Sequence, residues 1–393
     1  MRRRIKAAAS RALVWTGGDR VLGAITGRQG APLIVGYHRV VNNFTEMKST
    51  SIPAMLTTSR TFEQQIDWIA RRFRITTLDD IGAHLEAGRP EVERLAAITF
   101  DDGYADLYHN AFPILRRKGL PAAVFVVTDL IGRRKMQTFD RLYLLLTKAL
   151  DRPGGIDWLC DMAGPHAIPV PARMKLTQLG GDPVQTTHLL LKELPHDALD
   201  VVVEALESRF PLEAGCLDSH RALDWDMLEE MWAAGITIGS HTRTHPLLTL
   251  EDPARVRDEV EASRRILRQR LGREINHFAY PDGRYNRQVV AAVKKAGYRY
   301  GYGVCKHRDA SEPLLTIPRR TFWENSCLDA RGNFSSSVMS CSANGIFDLF
   351  TRCTRDHQAA GATRRTALTG KSGAQDMPGT IEIAGRSQQR ETN

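Results

Sequence analysis

No two cysteines form a CxxC pair, and none are spaced as a zinc cluster or a disulfide framework. The six, Cys160, Cys216, Cys305, Cys327, Cys341 and Cys353, are scattered singly. That excludes a metal ribbon and a disulfide-stapled scaffold, and it predicts free thiols in a reducing compartment. Also missing is any run of the roughly 20 apolar residues that a membrane-spanning helix needs. Aromatic residues make up only 7% of the chain and form no recognised aromatic-basic nucleic-acid module, so the formal net charge of +9 does not read as nucleic-acid binding. No internal repeat is present, which excludes a solenoid.

What is there is a chain of 393 residues with 42% hydrophobic content, enough to bury a sizeable core. The surplus positive charge is spread thinly, with concentrations at Arg2-Arg3-Arg4, Arg71-Arg72, Arg133-Arg134-Lys135 and Arg364-Arg365. Such scatter reads as a solvated surface. The opening MRRRIK resembles the start of a secretory leader, but Arg11, Asp19 and Arg20 interrupt the apolar stretch that should follow. The expectation is therefore a cytoplasmic protein with no cleaved leader. Its basic, partly amphipathic segment from Arg3 to Thr26 either lies on a membrane surface or packs on the domain.

Residues 1–30 read as a basic extension. From Ala31 the pattern changes to short apolar strands alternating with amphipathic helices: "APLIVGYHRV", "SRTFEQQIDWIARRF", "RLAAITFDDGY", "NAFPILRRKGL" and "PAAVFVV". That alternation predicts an α/β fold with parallel strands over residues 31–325. The rhythm breaks over residues 129–224, where "FDRLYLLLTKAL", "TTHLLLKEL" and "LDVVVEALESRF" have helical periodicity between Pro- and Gly-rich connectors. This predicts a helical insertion. The core then resumes through "ITIGSH", "INHFAYP" and "YRYGYGV", a helical element is expected over 326–350, and the polar stretch 351–393 reads as a disordered tail.

Parallel α/β folds carry their chemistry on loops at the C-terminal ends of strands. Four polar clusters fall at such ends: His38 after "LIVGY", Asp101-Asp102 after "AAITF", His241 to His245 after "ITIGS", and Asp282 with Arg284 after "HFAYP". On a helical turn, the spacing of His241 and His245 would place both imidazoles on one face, able to bind one divalent metal ion. A carboxylate from another strand end would complete a His-His-Asp site with positions open to water and substrate. Adjacent carboxylates repel when ionised, and a strand would aim them to opposite faces. A cation beside one of the aspartates offsets that repulsion and leaves its neighbour to accept a proton from water.

"TFDDGY", "SHTRTH" and "FAYPDGRYN", in that order, resemble the polysaccharide deacetylases, metal-dependent carbohydrate esterases related to chitin and chitooligosaccharide deacetylases. The "FAYP" form resembles the branch acting on bacterial exopolysaccharides, including poly-N-acetylglucosamine deacetylases. The resemblance implies a distorted (β/α)7-type barrel, here with a helical insertion, and hydrolysis of N-acetyl groups from amino sugars of a bacterial polysaccharide or surface glycan. Carried over by motif position, Asp101 is the general base, and Asp102, His241 and His245 hold one divalent metal ion. Zinc is the first expectation, with cobalt, nickel or manganese as alternates.

The third motif of the family usually opens with an arginine that orients the base, and "AYPDG" lacks it, which leaves Arg284 as the substitute. The same motif offers Tyr280 and Asp282 for the substrate and the oxyanion. The branch takes its acid histidine from an early "YH" strand end, matched by His38, with His307 in "GVCKHRDA" as rival. Tyr37, Tyr104, Tyr280 and Tyr285, beside the motifs, are candidates to stack on sugar rings. Two alternatives remain open: a deacetylase of lipid-linked or nucleotide-linked amino sugars, and a non-catalytic carbohydrate-binding protein on the same fold.

Overall fold

The structure, a computed structural model, describes residues 2–25, 31–88, 94–162, 168, 170–304 and 308–349. His307 and the tail 351–393 lie outside the described residues.

The core is a parallel sheet whose main path contains β1 (Leu33–Tyr37), β2 (Leu95–Phe100), β3 (Ala123–Val126), β4 (Thr237–Ser240), β5 (His277–Ala279), β6 (Tyr300–Gly303), β7 (Ile317–Pro318) and β8 (Arg320–Thr321). The strands lie in the order β7-β6-β5-β4-β3-β2-β1-β8. β7 and β8 are two halves of one stretch separated by Arg319 alone. The first half pairs with β6, Ile317 opposite Tyr302, and the second with β1, Arg320 opposite Val35. One stretch of chain thus bridges both edges of the sheet and turns it into a barrel of seven strand positions, matching the expected (β/α)7 type.

Because strand side chains alternate, two apolar layers form. Ile34, Ala97, Ala123, Phe125, Ala279, Tyr302 and Ile317 make one cluster. Their neighbours Val35, Ile98, Phe100, Val124, Ile238 and Phe278 face the helices in a larger one.

Between β3 and β4 the chain leaves the barrel for helices that include Thr138–Leu150, Pro183–Glu193 and His196–Arg209. They bury a core of their own around Leu142, Leu145, Leu190, Val203 and Leu206. A small cluster of Ile52, Tyr104, Phe139 and Tyr143 seats this unit on the barrel beside the Asp-Asp-Gly loop.

The N-terminal segment forms the helices Arg2–Trp15 and Gly18–Ile25. The first packs on the helix Ser336–Ala343. Asp19, 3% exposed, accepts hydrogen bonds from Ser340 Oγ (2.6 Å) and Asn344 Nδ2 (3.2 Å).

Candidate active site

β2 ends at Phe100, and the Asp101 backbone N–H donates to the carbonyl of Tyr37 at the end of β1 (2.9 Å). The chain then turns left-handed through Asp102 (φ 71°) and Gly103 (φ 70°). A Cβ at Gly103 would lie 3.0 Å from Val126 Cγ1, so the third position of the motif needs glycine for space as well as for φ. The two carboxylates therefore diverge because of this turn, and the strand alternation expected from sequence does not apply. Four non-glycine residues among those described have positive φ, namely Asp102, Thr242, His245 and Asp282, and all four sit in the motif loops. Strained backbone of this kind, costing on the order of 1–3 kcal/mol per residue, concentrates at functional sites.

Asp101 is 5% exposed and is gripped from two sides by one side chain. Arg319 Nη1 donates to its Oδ1 (2.7 Å) and Arg319 Nη2 to its Oδ2 (2.8 Å). Nη1 also reaches Thr99 Oγ1 (3.1 Å), and the guanidinium lies 5.0 Å from the centre of the Phe125 ring. Burial pushes the Asp101 carboxyl up, but Arg319, helped by His241, more than offsets it and holds the group well below the usual carboxylate range. The acid is ionised and its orientation fixed.

Asp102 is 2% exposed, and its Oδ1 has no hydrogen-bond partner. That atom lies 3.6 Å from His241 Nε2 and 3.3 Å from His245 Nε2. The three side chains can offer ligand atoms that all fall within 4.8 Å of one another. His241 Nδ1 donates to the Ala279 carbonyl (2.7 Å), which fixes the tautomer and leaves the Nε2 lone pair directed at Asp102. Burial lowers the His241 pKa to about 4 and that of His245 well below its ordinary value, so both rings are neutral ligands at neutral pH. Burial also raises Asp102 well above the carboxylate range, and Asp101 and Asp140 raise it further. A buried carboxylate facing two neutral imidazole lone pairs is an uncompensated arrangement that a divalent cation would satisfy.

The histidines do not sit on a helical turn. Residues 241–247 are a loop, with left-handed residues at Thr242 (φ 72°) and His245 (φ 67°). The His245 N–H donates to Thr242 Oγ1 (2.9 Å). Glu259, fully buried, accepts from the Arg243 and Thr244 backbone N–H groups, both at 2.8 Å, and from Thr244 Oγ1 at 2.6 Å. This tight loop, and no helical repeat, brings the two rings within 4.8 Å of each other.

Three further expectations are corrected by geometry. Arg284 does not orient Asp101: its Nε donates to Asp282 (2.9 Å), two residues away. The bidentate partner of Asp101 is Arg319. Tyr280 offers no platform to a sugar, because its ring is fully buried against Phe278 and its hydroxyl donates to the Leu315 carbonyl (2.8 Å). Tyr37, Tyr104 and Tyr285 are likewise buried at 0%, 2% and 3% exposure and stack on nothing from solvent.

Asp282 occupies a short turn with φ 51°, and the next residue, Gly283, is forced: a Cβ there would lie 2.4 Å from the Val304 nitrogen. His38 is half-buried, and its Nδ1 is buried without a partner. Burial lowers its pKa, opposed by Asp101.

The insertion adds two residues that the sequence did not flag. The Phe139 ring packs 5.2 Å from His245. Asp140, 1% exposed, accepts a hydrogen bond from the Tyr104 hydroxyl.

The electrostatics of Asp102 yield an expected result. Asp102→Asn removes the desolvation penalty of a charge at almost constant volume, so at neutral pH the cation-free variant should melt above the wild type by ~2 °C or more. Added zinc should raise the melting temperature of the wild type and leave that of the variant unchanged. Thermal unfolding with chelator and with zinc measures both, and a variant less stable without cation would contradict this account of Asp102.

A parallel barrel with a His-His-Asp cluster and a second, arginine-held aspartate at the C-terminal ends of its strands has the layout of a metal-assisted hydrolase. The polysaccharide deacetylase family model matches residues 88–152 and 195–301, and the chain carries a polysaccharide deacetylase domain of that family. Its break, between residues 152 and 195, falls inside the helical insertion.

Among curated relatives, the poly-β-1,6-N-acetyl-D-glucosamine N-deacetylase of Staphylococcus epidermidis is 34% identical over 131 residues, 31% of this chain and 44% of the relative. That of Staphylococcus aureus is 29% identical over 123 residues, 29% of this chain and 42% of the relative. The chain thus spans less than half the length of these two relatives. Among solved structures, IcaB from Ammonifex degensii superposes with a TM-score of 0.49 at 16% identity, over 80% of this chain and 97% of that one. The Streptococcus pyogenes deacetylase PplD superposes with a TM-score of 0.48 at 18% identity, over 75% of this chain and 93% of that one.

Proposed function

We propose that this chain is a metal-dependent hydrolase that removes N-acetyl groups from the amino sugars of a bacterial polysaccharide or surface glycan. One observation carries the reading: Asp102, His241 and His245 converge beside an Asp101 that Arg319 holds ionised. The chain's similarity to poly-β-1,6-N-acetyl-D-glucosamine N-deacetylases favours a β-1,6-linked N-acetylglucosamine polymer as substrate.

Asp102 Oδ1 and the Nε2 atoms of the two histidines are the groups that would hold the cation, a donor set suited to zinc and tolerated by cobalt, nickel or manganese. Such a cation supplies Lewis acidity, polarising the acetamide carbonyl and making water a better nucleophile. Asp101 accepts a proton from the attacking water as the oxygen adds to the carbonyl carbon. Arg319 keeps the Asp101 carboxylate charged and aimed. The backbone N–H of Asp282, in its strained turn, is assigned to the developing oxyanion. His38 gives a proton to the amine nitrogen as the C–N bond breaks, leaving acetate and a free amino sugar.

Acetate release from β-1,6-linked N-acetylglucosamine oligomers with added zinc tests the reading. Asp101→Asn should slow it about 10²- to 10⁴-fold while zinc binding, followed by calorimetry, is retained. No acetate from any polymeric, lipid-linked or nucleotide-linked N-acetyl sugar, with metal bound, would overturn the hydrolase in favour of a binding protein.

A further inference from the structure

The end of the barrel opposite the candidate active site holds a cavity of about 1060 Å³, walled in part by the starts of β1 and β7 at Leu33 and Ile317. Apart from Arg319, which is committed to Asp101, five arginines line it: Arg20, Arg72, Arg94, Arg308 and Arg320. Among the described lining residues Asp348 is the single carboxylate, and it pairs with Arg320 at 2.8 Å. Burial lowers the Arg72 pKa, and the neighbouring charges of Arg71 and Arg20 lower it further. Arg72 and Arg308 donate to the backbone carbonyls of Trp68 and Pro313 and pair with no carboxylate among the described residues, so these two suit an anionic ligand.

Exposed apolar side chains sit among the arginines at the rim of this cavity. Leu349 both lines the cavity and is 49% exposed, and Val21, next to the lining Arg20, is 61% exposed. The adjoining helix Arg2–Trp15 buries Ala7 and Ser10 on its inner side. On its outer side Ile5, Ala8, Ala12 and Trp15 form one stripe at helical spacing, with Ile5 59% and Trp15 88% exposed. Arg4 and Arg11, both exposed, flank that stripe. A helix that already packs its inner face on the domain has no folding reason to carry an outer apolar stripe edged with arginine. Interfacial helices that lie in the headgroup region have this composition.

We infer that this end of the molecule docks on an anionic membrane surface. Trp15 and its neighbours enter the acyl boundary, and the arginine-lined cavity takes a phospholipid headgroup. Docked in this way, the catalytic loops at the far end of the barrel face away from the bilayer, toward a glycan. The inference does not rest on the deacetylase reading, since binding is measured without turnover.

Co-sedimentation of the full chain with phosphatidylcholine vesicles, with and without phosphatidylglycerol and at low and high salt, tests it. Binding is expected only to the anionic vesicles, and to weaken with salt. Trp15→Ser should bind about tenfold more weakly. Arg72→Gln combined with Arg308→Gln should lose about fivefold per arginine while keeping the wild-type melting temperature. Trp15 is largely in solvent, so its variant should keep the wild-type melting temperature and report on docking rather than folding. Equal affinity for neutral vesicles, wild-type binding by both variants, or self-association of the chain in place of vesicle binding would each overturn the inference.

Discussion

Arg319→Met is expected to destabilise the fold by about 3–5 kcal/mol, because it leaves the buried Asp101 carboxylate without its counter-charge. Both partners are almost fully desolvated, with side-chain exposures of 1% and 6%. The two hydrogen bonds they share sit between β2 and the stretch that bridges the barrel edges. The pH dependence should reverse as well. With Arg319 present the folded-state pKa of Asp101 lies below its ordinary value. Its stabilisation is therefore complete above the ordinary carboxylate range and fades as the pH falls toward that lower folded value. Without Arg319, burial raises the group, so stability should decline as the pH rises through the carboxylate range. Denaturant unfolding at several pH values measures this. The double change Arg319→Met with Asp101→Leu should recover much of the lost stability with no acetate release. A loss below about 1 kcal/mol for the single change would mean that the ion pair matters little to the fold.

His241→Ala should weaken zinc binding by more than about 100-fold, since loss of even an outer-shell partner of a metal site typically costs 10- to 100-fold. Acetate release should disappear with it. The contrast with two other substitutions separates the roles. Asp101→Asn and His38→Ala should each retain zinc and lose turnover, the first because no group accepts the proton of water, the second because none reaches the leaving amine. Arg284→Ala should retain both within a few-fold, because Arg284 spends its guanidinium on Asp282. Isothermal titration with zinc, paired with an acetate assay on the same preparations, gives the result. His241→Ala protein with wild-type zinc affinity would remove the His-His-Asp cluster from the mechanism.

The sequence alone determined the alternation of strand and helix, the helical periodicity between the third and fourth barrel strands, and the polar residues left at strand ends. These follow from local periodicity and from the glycines that the Asp-Asp-Gly and Pro-Asp-Gly turns require, so they are written in neighbouring residues. It also named His38, Asp101, Asp102, His241 and His245 as candidates, because histidine and aspartate pairs stand out at the ends of apolar runs.

What the sequence could not decide was which distant residues meet. In "IPRRTF" either arginine could face the barrel interior. Only the pairing of Ile317 with β6 and of Arg320 with β1 turns Arg319 inward, 218 positions along the chain from the Asp101 it holds. The same limit hid Phe139 and Asp140, which reach the site only because the insertion folds back over the barrel mouth. It also miscast Tyr280, whose place beside a motif says nothing of which layer its ring fills. The nearness of His241 to His245 was legible as a spacing, but a loop rather than a helix produces it, because buried Glu259 satisfies the backbone donors that a helical turn would have used. Local pattern fixes which residues are available. Long-range pairing and burial decide which of them share a charge, a proton or a cation, because those energies depend on distances that no stretch of adjacent residues records.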